Sequence, residues 1–248
     1  MIVLLPPSET KHPGGDGPPV RLGNLSYPEL SPLRATLVDE LVELAADTPE
    51  CRRALGLSAS QQIEIERNAA LRSAPTLPAI NRYTGVLYDA LDIGSLTGAA
   101  ASRARARLAV GSALFGILRA EDSIPAYRLS ATSKLPGQSA LSTRWRPLLE
   151  PVLTRMAADE LVVDLRSGSY AGLGRLPDAV QVDVVSERGD GTRAVVSHFN
   201  KAHKGRLARV LASSRSEPGD AAAVATIARR AKMRVERKGN RLTIVVPA

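Results

Sequence analysis

Leu108-Ala-Val110 runs straight into Gly111-Ser-Ala-Leu-Phe-Gly-Ile-Leu-Arg-Ala-Glu-Asp-Ser-Ile-Pro-Ala-Tyr-Arg-Leu-Ser-Ala-Thr-Ser-Lys134-Leu135, and this stretch decides the fold. The apolar run reads as a buried strand. Gly111 and Gly116 punctuate it, and Arg119, Glu121, Asp122, Tyr127, Arg128 and Lys134 follow in close order. A loop that leaves a core strand and at once fills with charge and aromatics is where α/β proteins place working groups. An ion-pair network that merely pins a loop has the same composition.

Working outward, Met1-Ile-Val-Leu-Leu5 is a second apolar run, stopped by Pro6-Pro7, and reads as a first strand entering a core rather than a signal peptide. Residues 12 to 28 are rich in Gly and Pro and predict a mobile loop. Leu33, Leu37, Leu41 and Leu44 lie at helical spacing within a predicted helix from Leu30 to Ala46. Thr48-Pro49-Glu50 predicts a capped short helix ending at Leu55, and Ser58 a second one running to about Leu71. Two short helices joined by Gly56-Leu57-Ser58 have the outline of a helix-hairpin-helix over 49–71, whose backbone N–H groups would hold a phosphate. Any αα-hairpin shares that outline.

Further along, Ser142 to Ala157 predicts a helix and Leu161 to Asp164 a strand leading into the glycine-rich Arg166–Gly174 loop. Val180 to Ser186 and Thr192 to Val196 predict strands around Arg188-Gly-Asp-Gly191. Helices follow over Asn200–Ser213 and Ala221–Ala231, then a hairpin from Met233–Arg237 and Arg241–Val246. This irregular interleaving predicts a single mixed α/β domain over 1–248, α+β-like, with a mixed central sheet and flanking helices.

Composition narrows the function classes. The 248 residues can bury a sizeable core, and no apolar run approaches the length of a membrane helix. One cysteine, Cys51, excludes an internal disulfide and fits a reducing compartment, so the expected location is the cytoplasm. The histidines are His12, His198 and His203, too few and too poorly spaced for a metal centre, and neither a Walker loop nor a GxGxxG is present. No metal and no cofactor is expected.

The net charge of +8 is unevenly spread: from Arg193 to Arg241 there are thirteen Lys or Arg and three acids. Such asymmetry points to a polyanion, most simply nucleic acid. A solvated basic surface is the plain alternative. In Ser197-His-Phe-Asn-Lys201-Ala-His-Lys204-Gly-Arg206-Leu-Ala-Arg209, a basic helical face carries a glycine at a cost of about 1 kcal/mol relative to alanine. That cost makes sense if something must approach the backbone at Gly205. Pro6-Pro-Ser-Glu-Thr-Lys11 follows the first strand, where Lys11 could meet a phosphate and Glu9 could act as a base or orient Lys11. Tyr83, Tyr88, Phe115, Tyr127, Tyr170 and Phe199 hold most of the few aromatics and fall beside these basic segments. They could stack on bases or simply anchor their loops.

At this point the motifs resemble those of the YaaA family of peroxide-stress proteins. The family pattern S-G-L-Y-G-L-L-R-P-L-D-x-I-x-P-Y-R-L-E-M-x-x-K-L is matched by Ser112, Leu114, Gly116, Leu118, Arg119, Asp122, Ile124, Tyr127, Arg128, Leu129, Lys134 and Leu135, with Phe115 in place of its Tyr. Tyr83, Gly85, Val86 and Tyr88 resemble its Y-x-G-x-V-Y. Asp164-Leu-Arg-Ser167-Gly-Ser-Tyr170 resembles N-L-A-S-x-E-Y, and Lys201-Ala-His-Lys204-Gly205-Arg206 approximates K-x-A-R-G. The chain departs at Pro6–Lys11, where the family reads S-P-A-K-T-L, and at Arg119-Ala-Glu-Asp122, where it reads R-P-L-D. The resemblance implies a cytoplasmic protein that limits oxidative DNA damage and is associated with lowered free iron under peroxide. It also implies DNA binding, a mixed α/β fold, a positively charged cleft and a helix-hairpin-helix.

The expectation is therefore a monomer that binds duplex or structured DNA, without known catalysis and without a membrane. Phosphate contacts are assigned to Lys201, Lys204, Arg206, Arg209, Arg119, Arg128, Lys134 and Lys11. The cleft is assigned to Asp122, Tyr127, Tyr83, Tyr88, Ser167 and Tyr170. The alternative is an enzyme acting on a nucleotide or nucleic acid in the same place. There Arg119, Arg128 and Lys134 would hold the anion, and Asp122 or Glu9 would serve as acid–base.

Overall fold

Apolar runs that are buried on both faces make the centre of the molecule. The computed structural model describes residues 1–195 and 199–247. Its first half runs β1 (Ile2–Leu5), α1 (Ser31–Leu44), α2 (Thr48–Leu55), α3 (Gln62–Ala69), β2 (Leu77–Pro78), α4 (Ala79–Arg82) and α5 (Val86–Leu91). There follow α6 (Gly98–Arg107), β3 (Leu108–Ser112), β4 (Gly116–Arg119), β5 (Ser123–Ile124), α7 (Leu141–Asp159), β6 (Val162–Asp164) and α8 (Gly168–Ala171). The last third is β7 (Val180–Glu187), β8 (Arg193–Val195), α9 (Phe199–Ser213), α10 (Ala221–Arg230), β9 (Val235–Lys238) and β10 (Arg241–Pro247).

The main sheet has the order β4-β3-β1-β6-β7-β10-β9, and β8 pairs with β7. Strands β3, β1, β6, β7 and β10 are parallel, while β4, β8 and β9 run antiparallel to their neighbours. A single mixed α/β domain results. β1, β3 and β6 are buried at every position, as continuous apolar strands covered on both faces should be. β7 shows alternation instead, with Val180, Val182 and Val184 buried and the residues between them half-exposed. The expected hairpins at 188–191 and at Lys238–Asn240 are present.

Two local expectations are corrected, the cap of the second helix and the mobility of the loop after β1. The cap of α2 is Asp47, whose carboxylate accepts the Glu50 N–H at 3.0 Å, and Thr48 is the first helical residue. Segment 12–28 is pinned rather than free. The buried Arg82 guanidinium donates to the carbonyls of His12, Gly14 and Pro75, and Gly17 pairs with Thr76. These bonds satisfy backbone groups that the loop cannot pair itself. Over 49–71 the structure has two helices, with Gly56 in the left-handed conformation (φ 62°) and a Ser58–Gln61 capping box opening the second. The Ser58 N–H is already bonded to Gln61 Oε1 at 2.9 Å.

Candidate functional site

In a parallel sheet, the loops leaving the carboxyl ends of the strands hold ligands where the connections diverge. Here β1 lies between β3 and β6. The chain leaves β1 for β3 on one side and leaves β6 for β7 on the other. The segments after Leu5, Ser112 and Asp164 therefore meet at one edge.

Lys11 lies at the centre of this edge and is 7% exposed. Its backbone pairs with Tyr83 in an isolated bridge. Its amine donates to the carbonyls of Ser8 at 3.1 Å and Glu9 at 3.3 Å, and stands 4.2 Å from the centre of the Tyr127 ring and 5.5 Å from that of Tyr83. Burial, and then the charge of Arg128, pull its pKa down to about 7, against smaller opposing effects of Glu64 and Glu9. An amine of ordinary basicity would be almost wholly charged at neutral pH.

A hydroxyl chain joins the two tyrosines whose rings face the amine. Tyr127 Oη is 2.7 Å from Ser112 Oγ and 2.9 Å from Tyr83 Oη, and Ser112 Oγ accepts the Phe115 N–H at 3.0 Å. Tyr88 donates to the Pro6 carbonyl at 2.8 Å and so ties α5 to the loop after β1. Burial pushes the Tyr83, Tyr88 and Tyr127 phenols well above their usual range and the Tyr170 phenol to about 12. All four stay protonated at neutral pH.

Asn68 of α3 fixes Arg128 by its backbone: its side-chain oxygen accepts the Arg128 N–H at 2.8 Å and its amide donates to the Arg128 carbonyl at 2.9 Å. The Arg128 guanidinium reaches Glu9 at 3.2 Å. On the far side of β1, Asp164 and Arg166 form a buried pair, with Nη2 to Oδ2 at 2.8 Å and Nε to Oδ1 at 3.0 Å. The Arg166 stem lies over β3 where a β-carbon on Gly111 would stand 3.0 Å from its Cδ, so the glycine makes the room. Lys204 donates to the Leu165 carbonyl at 3.1 Å, which docks α9 beside this pair, and its pKa falls because it is largely desolvated. Ser167 is exposed and precedes α8, and Tyr170 on α8 is half-buried.

The structure thus gathers Lys11, Tyr83, Tyr88, Tyr127, Arg128, Ser167, Tyr170 and Lys204 at one edge. It places other candidate residues elsewhere. β4 turns back antiparallel to β3, so Arg119 pairs with Ala109 and lies at the opposite end of the sheet, donating to the Ala106 carbonyl. Asp122 accepts the N–H of Arg119 at 2.8 Å and both the N–H and hydroxyl of Ser26, at 3.0 and 2.9 Å. It is a buried turn cap at that same far end. Arg209 closes the end of α5 by donating to the Leu91 carbonyl at 2.9 Å and Ser95 Oγ at 2.7 Å. Arg206 turns away from Lys204 into a cavity of about 1080 Å³ lined also by Arg188, His203, Lys232 and Arg234. Lys134 and Lys201 are exposed. His198 lies outside the described residues.

What approaches Gly205 is the chain itself: a β-carbon there would meet the Leu87 carbonyl oxygen of α5 at 2.2 Å. Sequence reasoning missed Asn68 and the Asp164–Arg166 pair. Their signals were an uncharged amide in a polar helix and an Asp-x-Arg directly after a strand. Among the described residues no cluster of His, Cys, Asp and Glu could hold a metal ion, and no helix is long and apolar enough to cross a membrane.

Compared with known proteins, residues 1–230 match the family model described as peroxide stress protein YaaA. A UPF0246 protein of Corynebacterium efficiens is 51% identical over 99% of this chain and 100% of its own length. A UPF0246 protein of Corynebacterium glutamicum is 47% identical over the same shares. One from Streptomyces coelicolor is 46% identical over 88% of this chain and 85% of its own.

Proposed function

We propose, from the premise that this chain belongs to the peroxide stress protein YaaA family, that it binds duplex DNA in the cytoplasm and protects it during peroxide stress, acting as a monomer. One observation carries this reading. Cations from three separate chain segments border the carboxyl edge of the sheet: Lys11 after β1, Arg128 after β5 and Lys204 on α9, with Lys134 and Lys201 further along the last two segments. Backbone contacts bring these segments together, Arg128 through Asn68 and Lys204 through the Leu165 carbonyl. Lys134 and Lys201 are exposed, as contacts to a phosphate backbone require. Part of the basic excess of the last third is absorbed internally, since Arg193 pairs with Glu187 and Glu236, Arg234 with Glu187 and Arg241 with Asp183. The cations bordering the edge fall outside those pairs.

A titration of duplex binding against salt tests the reading. Affinity falling linearly in log salt supports it, because the slope counts displaced counterions. Absence of binding at low salt removes it.

A second reading, an enzyme acting on a nucleotide or nucleic acid at the same edge, is favoured by the environment of Lys11. The acid–base role there falls to Glu9 and not to Asp122, which caps a turn at the other end of the sheet.

A further inference from the structure

We propose that Lys11 is an imine-forming amine, whose substrate is an aldehyde carrying a neighbouring phosphate. The amine's hydrogen-bond acceptors are two backbone carbonyls, of Ser8 and Glu9, and its remaining face looks onto the Tyr127 ring. The carboxylates that influence it, Glu64 and Glu9, are engaged elsewhere, by Arg67 and Arg128. A buried ammonium is costly without a paired charge, and a desolvated lysine is the form enzymes use as a nucleophile. Burial brings the pKa to about 7, so a substantial share of the amine carries a free electron pair at neutral pH.

The groups needed for the chemistry converge on it. Nζ adds to the aldehyde carbon, forming the C–N bond while the carbonyl electron pair moves to oxygen. The Tyr127 hydroxyl, still protonated and linked to Ser112 and Tyr83, belongs to the ring that faces the amine at 4.2 Å, and it is assigned the proton given to that oxygen. The Tyr127 phenolate takes a proton from the nitrogen and passes it to the new hydroxyl, so the carbinolamine loses that oxygen as water, the nitrogen supplying the pair that forms the C=N bond of an iminium beside the phenolate.

The phosphate is assigned to Arg128. Its present partner, Glu9, is 72% exposed, and a pair that open to water is readily exchanged for a phosphate. Access requires the Pro6–Thr10 loop to swing aside. It is held there by the Thr84 N–H bond to Ser8 Oγ, the Glu9–Arg128 pair and the amine itself. Losing its proton weakens both bonds with which the amine grips that loop, since a neutral amine is a poorer donor than an ammonium, and this couples the reactive form to opening.

Two sources supply this chemistry: a free sugar phosphate, and an abasic deoxyribose within DNA. In the second, Glu9 would take a C2′ proton from the iminium. The released pair forms the enamine and expels the 3′-phosphate oxygen, breaking the C3′–O bond and nicking the strand. Water then returns the amine. The DNA source rests on the duplex-binding reading above, and the free source does not.

The test treats the full chain at neutral pH with 2-deoxyribose 5-phosphate, or with a duplex bearing one abasic site, in the presence of cyanoborohydride. Peptide mass spectrometry then locates the reduced adduct. Adduct at Lys11 with either probe supports the proposal, and the probe that works identifies the source. Adduct with the free sugar but no binding of intact duplex sinks the DNA reading alone. Lys11→Arg, whose side chain stays charged, should lose the adduct entirely, and Tyr127→Phe should slow its formation with Lys11 intact. No adduct at Lys11 with either probe overturns the proposal, as does labelling that falls instead on Lys204 or on surface lysines. If Lys11→Arg fails to fold, the labelling site in the unaltered protein decides alone.

Discussion

Gly205 of α9 lies so close to Leu87 of α5 that a β-carbon on the glycine would stand 2.2 Å from the Leu87 carbonyl oxygen and 2.9 Å from the Ala90 side chain. Gly205→Ala therefore must push the two helices apart, although alanine is the better helix former. Overpacking of this kind typically costs about 1–3 kcal/mol. The expected outcome is a lower urea midpoint with an unchanged slope. A stabilised Gly205→Ala protein would mean that α5 and α9 do not pack this way.

Arg166→Met should strand the Asp164 carboxylate, which is 2% exposed. Removing one partner of a buried pair costs about 3–5 kcal/mol, while removing both is far milder. Chemical denaturation of Arg166→Met and of Asp164→Asn/Arg166→Met checks this. The double variant is expected to recover most of the lost stability.

Lys11 gives the stability a pH dependence of known sign. Its folded pKa is about 7 against 10.5 for the free side chain, so between these values the unfolded chain holds a proton that the native one has released. Native stability relative to Lys11→Met must therefore rise with pH across that window, by at most about 1.4 kcal/mol per unit. Below pH 7 the difference levels off, because both states are then protonated. Tyr83, Tyr88 and Tyr127, raised by burial, lower the stability as pH nears 10 and the unfolded phenols ionise, and this effect, common to both proteins, cancels in the difference. Paired urea titrations across the window read the slope, and a flat difference would contradict the burial of a free amine.

Tyr127→Phe removes the hydroxyl that joins Ser112 to Tyr83 and leaves the Tyr83 phenol buried without that partner. A loss of about 1–3 kcal/mol is expected, read as a fall in melting temperature.

For duplex binding, Lys201→Ala is expected to lower the magnitude of the salt slope by about 1, and Arg119→Ala to leave it unchanged. Arg119 lies at the far end of the sheet and Lys201 is exposed on α9 three residues before Lys204, so fluorescence anisotropy at several salt concentrations separates a binding edge from a diffuse basic surface.

Much of the fold was legible because its strands are apolar runs with clear stops, as at Leu5-Pro6 and in the Arg188–Gly191 turn. The site was legible in its types of residue and less so in its arrangement. Arg119 and Arg128 are nine residues apart, yet the reversal at β4 sends one to each end of the sheet. Proximity along a chain carries no information about a turn of that kind. At Gly205 the sequence recorded that something comes close, and only the packed helices identify it as α5. Asn68 acts on a backbone sixty residues away, a relation that no local pattern encodes.

The position of β1 also sets an order of events during synthesis. Val3 pairs with Leu108 on one side and Val163 on the other. β1 thus leaves the ribosome ahead of both its neighbours and waits for about 160 further residues before both its flanks are covered. Until then an apolar segment with open edges is exposed, which is the condition under which nascent chains aggregate or recruit chaperones. Ribosome-bound fragments ending before β6 should stay protease-sensitive around β1, and the site around Lys11, built on the same strands, should form late.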